Sequence, residues 1–271
     1  YAGFDAAEDV QSLEASLTLA RDASEGARGA VRVASEPGSA WGYSGGGYTL
    51  LQLLIEEVSG RSFSAYMRER VFGPIGMTRT TFDHAEASAA GLAENFDLRG
   101  GTAPFRHYTS LAATSAFTSA GDLVAFVGAQ WPGGRGDAGR PLSVATLGEM
   151  RRPHAASLGV DTWGLGVMLY APNGSGDYIV GHDGNDEPAI NTAARLDPAR
   201  GDAIILLETG NPLLATRLAG EWVFWKTGNV DNLTFIIDLG GVLRLAAIGA
   251  GVILLAGMLL IWSRARRRSG G

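Results

Sequence analysis

The side chains able to do chemistry are few. In 271 residues there is no cysteine, there are four histidines, and Lys226 is the sole lysine among 22 basic residues. Without thiols there are no disulfides, no thiolate nucleophile and no zinc site built on sulfur. His84, His107, His154 and His182 are scattered, with no helical pair of the H-E-x-x-H kind, so neither a metal nor another cofactor is expected. Gly42-Tyr43-Ser44-Gly45-Gly46 satisfies G-x-S-x-G, the tight turn that exposes a nucleophilic serine between a strand and a helix. That geometry needs an apolar strand directly upstream, and Glu36-Pro37-Gly38-Ser39 stands there instead. Gly45-Gly46-Gly47 lacks the Gly-Lys-Ser/Thr of a phosphate loop. Taken singly, Tyr43 reads as a core tyrosine and His182 as a surface imidazole at a strand end.

The elements that would position these groups follow from periodicity and punctuation. Ser12 caps a helix over residues 12–22, and residues 48–59 form a helix apolar nearly all round, expected to be buried and stopped by Gly60. Ser62 opens another helix, closed at Gly73-Pro74; Ser119 and Ser143 open two more, with a loop over residues 132–139 between them. After Asp161 the pattern changes to short runs, residues 163–170, 178–182, 190–196 and 203–207, separated by Gly, Asn and Pro turns. These are strands, the last expected to be covered on both faces, and Asp197-Pro198-Ala199-Arg200-Gly201 joins two of them as a hairpin. A helix over residues 212–226 closes the domain, and Lys226-Thr227-Gly228 falls at its end.

Residues 245–262 are uncharged and mostly apolar, about 27 Å of helix against a hydrocarbon core of about 30 Å. With residues 239–244 this gives a transmembrane helix, anchored by Arg244 at one interface and Trp262 at the other. Arg264, Arg266, Arg267 and Arg268 follow, so the positive-inside rule places residues 263–271 in the cytoplasm and the domain outside a cell membrane it crosses once. The lipid bilayer is thus one partner. Ala247 and Gly251 form a small-x-x-x-small pair, a pointer to a homodimer. Residues 229–238 read as a tether. The net charge of −6 hides an asymmetry, because residues 239–271 carry five arginines and no acid, which leaves −11 on residues 1–238; an acidic domain is no partner for nucleic acid.

Glu36-Pro37-Gly38-x-x-Trp41-x-Tyr43-Ser44-x-x-Gly47-Tyr48, followed by the leucine-rich helix, is similar to the second motif region of class C β-lactamases and related penicillin-recognising serine hydrolases. Val71-Phe72-Gly73-Pro74-Ile75-Gly76-Met77 looks like the loop that follows in them, Trp163-Gly164-Leu165-Gly166 resembles their approach to the sheet, and Gly181-His182-Asp183-Gly184 looks like their third motif, where His-x-Gly often replaces Lys-Thr-Gly. The resemblance covers roughly residues 36–228 and implies an α/β fold of the α+β type, a helical domain packed on an antiparallel sheet flanked by helices, with the active site between them. It also implies acyl transfer on an amide or ester: a β-lactam, a D-Ala-D-Ala peptidoglycan stem or a small ester. Tyr43 matches the phenol that relays the proton, His182 the third-motif residue that supports it, and Gly184 and Asn185 a strand edge that pairs with substrate and offers an oxyanion donor.

Two departures accompany the match. The family's Tyr-x-Asn is Tyr43-Ser44-Gly45 here, which puts hydrogen at the substrate-binding position Gly45. S-x-x-K, the source of the nucleophile and its base, cannot occur, since Val223 stands three before the only lysine. The chain opens at Tyr1 without a basic and apolar leader, so an upstream export signal and the serine-bearing segment are expected to be missing from a fragment that leaves apolar surface on the 48–59 helix exposed. The alternative is a catalytically inactive binding or scaffolding domain at the cell envelope.

Overall fold

Side-chain caps set most of the helix starts. In the computed structural model, which describes residues 1–134, 139–157 and 159–269, Ser12 accepts the Ala15 amide at the head of α1 (Leu13–Leu19). Ser44 accepts the Gly47 amide at 3.0 Å and opens α2 (Gly45–Ser59), which ends with Gly60 in the left-handed region (φ 65°). The helix therefore starts three residues before the expected Tyr48, and the three glycines form its first turn. Ser62 caps α3 (Phe63–Met67), which runs through a π-helical turn at Arg68–Phe72 into α4 (Gly73–Ile75). Asp83 caps α5 (His84–Ala89), and a two-stranded ribbon, β1 (Asn95–Phe96) with β2 (Thr102–Ala103), follows. Ser119 and Ser143 cap α6 (Ala120–Gln130) and α7 (Val144–Met150) as expected. Of the expected loop over residues 132–139, residues 135–138 lie outside the described residues, as do the last two residues of the basic tail.

The second half is a six-stranded antiparallel meander in chain order: β3 (Ala155–Ser157), β4 (Val160–Trp163), β5 (Met168–Pro172), β6 (Tyr178–Asp186), β7 (Ile190–Asp197) and β8 (Asp202–Thr209). The run expected as one strand over residues 163–170 is split, because a Cβ on Gly164 would lie 2.0 Å from the Met150 carbonyl and Gly166 adopts φ 75°. β6 runs four residues past His182, its polar end held by full pairing with β7 from Val180 to Asp186. Helices cover both faces. On the α6 side, Val127 packs with Val167, Leu169, Val180 and Leu196. On the other, α8 (Leu214–Thr227) sets Val223 against Tyr170 and Ile179, and Ala215 and Ala219 against Ala193. This is the α+β arrangement of a helical part packed on an antiparallel sheet flanked by helices.

Three further points stand apart from the simple pattern. α2 keeps the exposed apolar surface expected of it rather than the burial its periodicity alone suggests: only Thr49 and Gln52 are buried on it, while Leu50, Leu51, Leu54 and Val58 are exposed. Its contacts run through a polar stripe, Thr49 to Ser110 (2.6 Å) and Gln52 to Ala112 (3.1 Å), so an all-round apolar pattern meets cover along one narrow face. β8 sends Ile205 to the α6 side and Ile204 and Leu206 to α8, but it is the last strand of the sheet and stays half-buried. The segment 229–238 is helical from Asn232, where α9 (Asn232–Ser269) begins; its stretch Asn232–Trp262, with mean hydropathy 2.4 over its most apolar window, is long and apolar enough to cross a membrane.

Candidate active site

Two segments meet beside the sheet. One is the extended chain before α2, in which Trp41 and Tyr43, two residues apart, reach the same neighbour; the other is the turn of β6 away from β5. Trp163, at the end of β4, stands between them. The Tyr43 and His182 rings lie 6.4 Å apart, each within 6 Å of the Trp163 ring (5.7 and 5.6 Å), and Trp41 stacks on Trp163 at 5.1 Å. The structure thus brings the two expected catalytic residues together at a wall of two tryptophans. In the sequence Trp41 and Trp163 are motif letters only; the two-residue spacing of Trp41 and Tyr43 in an extended segment puts that pair on one side of the chain, while nothing local points to Trp163.

His182 is on the outer side of β6, with Nδ1 2.5 Å from the Asp183 carbonyl. A carbonyl only accepts, so Nδ1 carries the hydrogen and Nε2 takes no part in this bond. Tyr43 is 69 % exposed, yet burial of its phenol, with a smaller contribution from Tyr48, raises its pKa above the ordinary tyrosine value. It is a protonated donor at neutral pH. The sole lysine is elsewhere: Lys226 pairs with Asp202 at 2.5 Å and Gly228 ends α8 in the left-handed region, so Lys226-Thr227-Gly228 is a helix terminus. Ser44 is occupied as the α2 cap and no strand precedes it, so the nucleophile-elbow geometry is not formed.

The expected binding residues lie along the same strand and helix start. Pairing of β5 with β6 ends at Met168 opposite Gly181, so from His182 to Asp186 the strand is paired on one side only among the described residues. Gly184 is on this stretch, and a Cβ there would meet Thr192 Oγ1 at 2.4 Å. Asn185 donates from Nδ2 to the Pro212 carbonyl at 2.6 Å, which ties the strand end to the start of α8. Gly45 is the first residue of α2, against the Tyr1 ring. Among the described residues no group of three or more His, Asp or Glu is placed to hold a metal ion, although His84 and His107 come into edge contact at 5.7 Å. A shallow depression of about 520 Å³ beside α6, lined by Val124, Gly128 and Trp131, carries no titratable side chain and is not this site.

Under β6 lies a network that sequence reasoning missed. Asp183 points to the opposite face from His182, and its carboxylate pairs with Arg195 and accepts from Tyr170 Oη (2.8 Å) and Thr216 Oγ1 (2.7 Å). Arg195 is fully buried, lies over the Tyr170 ring at 3.4 Å, and pairs also with Asp231. The signal was present: a charged residue inside Ala193-Ala194-Arg195-Leu196, a strand covered on both faces, must have buried partners.

A family model described as Beta-lactamase matches residues 4–223. No curated protein matches the chain. Similar solved structures include the octameric penicillin-binding protein homologue from Pyrococcus abyssi (24 % identity, TM-score 0.61, 73 % of this chain and 45 % of that one). The D-amino acid amidase from Ochrobactrum anthropi SV3 is 27 % identical with TM-score 0.53, over 66 % of this chain and 54 % of that one. The β-lactamase/D-alanine carboxypeptidase from Pseudomonas syringae is 15 % identical with TM-score 0.56, over 68 % and 58 %. The chain spans about half the length of these structures.

Proposed function

The chain belongs to the β-lactamase family, and from that premise we propose that the intact protein is a membrane-anchored serine hydrolase that opens an amide or ester through an acyl-enzyme. The observation that carries the reading is the convergence of Tyr43 and His182 at the stretch of β6 that β5 leaves uncovered. In this scheme the phenol of Tyr43 relays the proton of the nucleophilic serine, and His182 Nε2 supports the phenol or receives the proton in turn. The free edge at Gly184 and Asn185 takes an extended substrate by strand addition and supplies a backbone N–H to the oxyanion. The serine and its base come from an S-x-x-K outside residues 1–271.

Likeness to an amidase favours an amide among the candidate substrates, which are β-lactams, D-Ala-D-Ala peptides of peptidoglycan and small esters. α9 is the anchor, and the arginines after Trp262 put the site outside the membrane. A labelled penicillin and a fluorophosphonate, applied to the protein made from its complete reading frame, test the scheme. The expected result is a covalent adduct that forms more slowly in Tyr43→Phe and His182→Ala. Absence of an adduct with either probe overturns it. Reversible binding without an adduct supports instead a catalytically inactive binding domain, for which the exchange of an amide for Gly45 is the motivating feature.

A further inference from the structure

We propose that the first two turns of the membrane helix are a structural member of the domain: Asp231 holds Arg195, Arg195 holds Asp183, and the membrane helix thereby positions His182. The importance given to His182 rests on the hydrolase reading; the mechanical link does not.

Three observations carry the link. Asp231 immediately precedes α9 and caps it, its Oδ1 accepting the Thr234 amide at 3.0 Å while Oδ2 receives Arg195 Nε at 3.3 Å. A guanidinium with no exposed surface needs acceptors on every side, and here two carboxylates share it; the excess negative charge is met by donors from Tyr170, Thr216 and the Thr234 amide. Asn232, the first residue of α9, donates from Nδ2 to the carbonyls of Asp161 and Leu169, both at 3.1 Å, which fastens the helix to β4 and β5. The third contact is with α8. A Cβ on Gly220 would meet Thr234 Oγ1 at 2.4 Å, so the two helices are in close contact there, and Arg217 reaches Asp238 at 2.8 Å one turn further on. α9 is docked before it leaves the domain.

The step from Asp183 to His182 is a single residue. Side chains alternate along a strand, so Asp183 faces the buried network while His182 faces the ring cluster. The imidazole also bonds to the Asp183 carbonyl, so the ring is oriented by the backbone of the same residue whose carboxylate Arg195 holds. Losing Asp231 leaves a buried guanidinium short of one acceptor, and the side of the site strand that lacks β5 is the part least able to resist the rearrangement.

The test is hydrogen exchange followed by mass spectrometry on the whole chain in lipid nanodiscs, comparing Asp231→Ala, Asp231→Asn and, as a control at the exposed pair, Arg217→Ala. In Asp231→Ala, protection of the peptide covering residues 182–186 is expected to fall at least tenfold with α6 unchanged. Asp231→Asn, which keeps the shape and one acceptor, is expected to give a smaller loss at the same place, and Arg217→Ala none. If Asp231→Ala does not fold, Asp231→Asn carries the same comparison. Unaltered protection at residues 182–186, or a loss spread equally over α6 and β6, overturns the inference. Probe labelling in the intact protein reads out the hydrolase scheme separately.

Discussion

Gly181 tests how closely the site strand is fitted to its neighbour. A Cβ at this position would lie 1.9 Å from the Ala194 carbonyl oxygen and 2.9 Å from its carbon, both backbone atoms that no rotamer change can move. Gly181→Ala must therefore push β7 away by roughly 1 Å, enough to strain the pairing that runs from Val180 to Asp186 and the seat of Arg195. Overpacking of this kind costs about 1–3 kcal/mol, and the absence of any flexible neighbour puts this case at about 3 kcal/mol. At about 2–4 °C per kcal/mol for a domain of this size, the melting temperature falls by about 6–12 °C. The assay is thermal unfolding of the chain in detergent, with Gly128→Ala as a control. Gly128 is inside α6 with nothing within 4 Å of its Cβ, and alanine there is expected to add about 0.5–1 kcal/mol. A melting temperature for Gly181→Ala within a degree of the parent would refute the fit of β6 against β7.

Two further outcomes follow from the same geometry. Ser44→Ala removes the α2 cap and is expected to cost about 1 kcal/mol in thermal unfolding, while probe labelling of the intact protein keeps its extent; abolished labelling in a folded variant would restore Ser44 as the nucleophile. Tyr178 donates to Asp161 at 2.6 Å, and that bond, with burial, pushes its phenol up to about 12. The folded state holds this proton more tightly than the unfolded chain, so the stabilisation is complete below pH 10 and is lost as pH rises from about 10 to about 12. Ultraviolet titration with unfolding measured in parallel should show that loss reduced in Tyr178→Phe, and an identical alkaline limb would contradict the assignment.

Much of the scaffold is legible because it is encoded locally. The serines at 12, 62, 119 and 143 cap helices where their sequence context says they should, and the hairpin at Asp197–Gly201 is set within its own five residues, where Asp197 accepts the Ala199 amide. Tyr43 and His182 could be paired in the sequence only through the motif resemblance, and the structure brings their rings together. What was hidden depends on partners distant in the chain. The apolar pattern of α2 by itself predicts burial, whereas the lack of a serine-bearing segment to cover it predicts the exposure that Leu50, Leu51, Leu54 and Val58 show. The start of α9 reads in the sequence as a tether, yet its Asn232 and Asp238 bond to the domain. The Asp183–Arg195–Asp231 link joins three elements, and no periodicity reports such a join.

The docking of α9 along α8 has a geographical consequence. Ten residues of loose chain would let the cleft roam about 33 Å from its point of attachment and turn in any direction. A helix fastened at Asp231 and again at Asp238 allows neither. Seven residues of helix separate those points, about 10 Å. With α9 spanning a bilayer as proposed, that docking gives the ring cluster one bearing relative to the membrane surface. A substrate of the proposed hydrolase would then meet the site from one fixed direction instead of from any side.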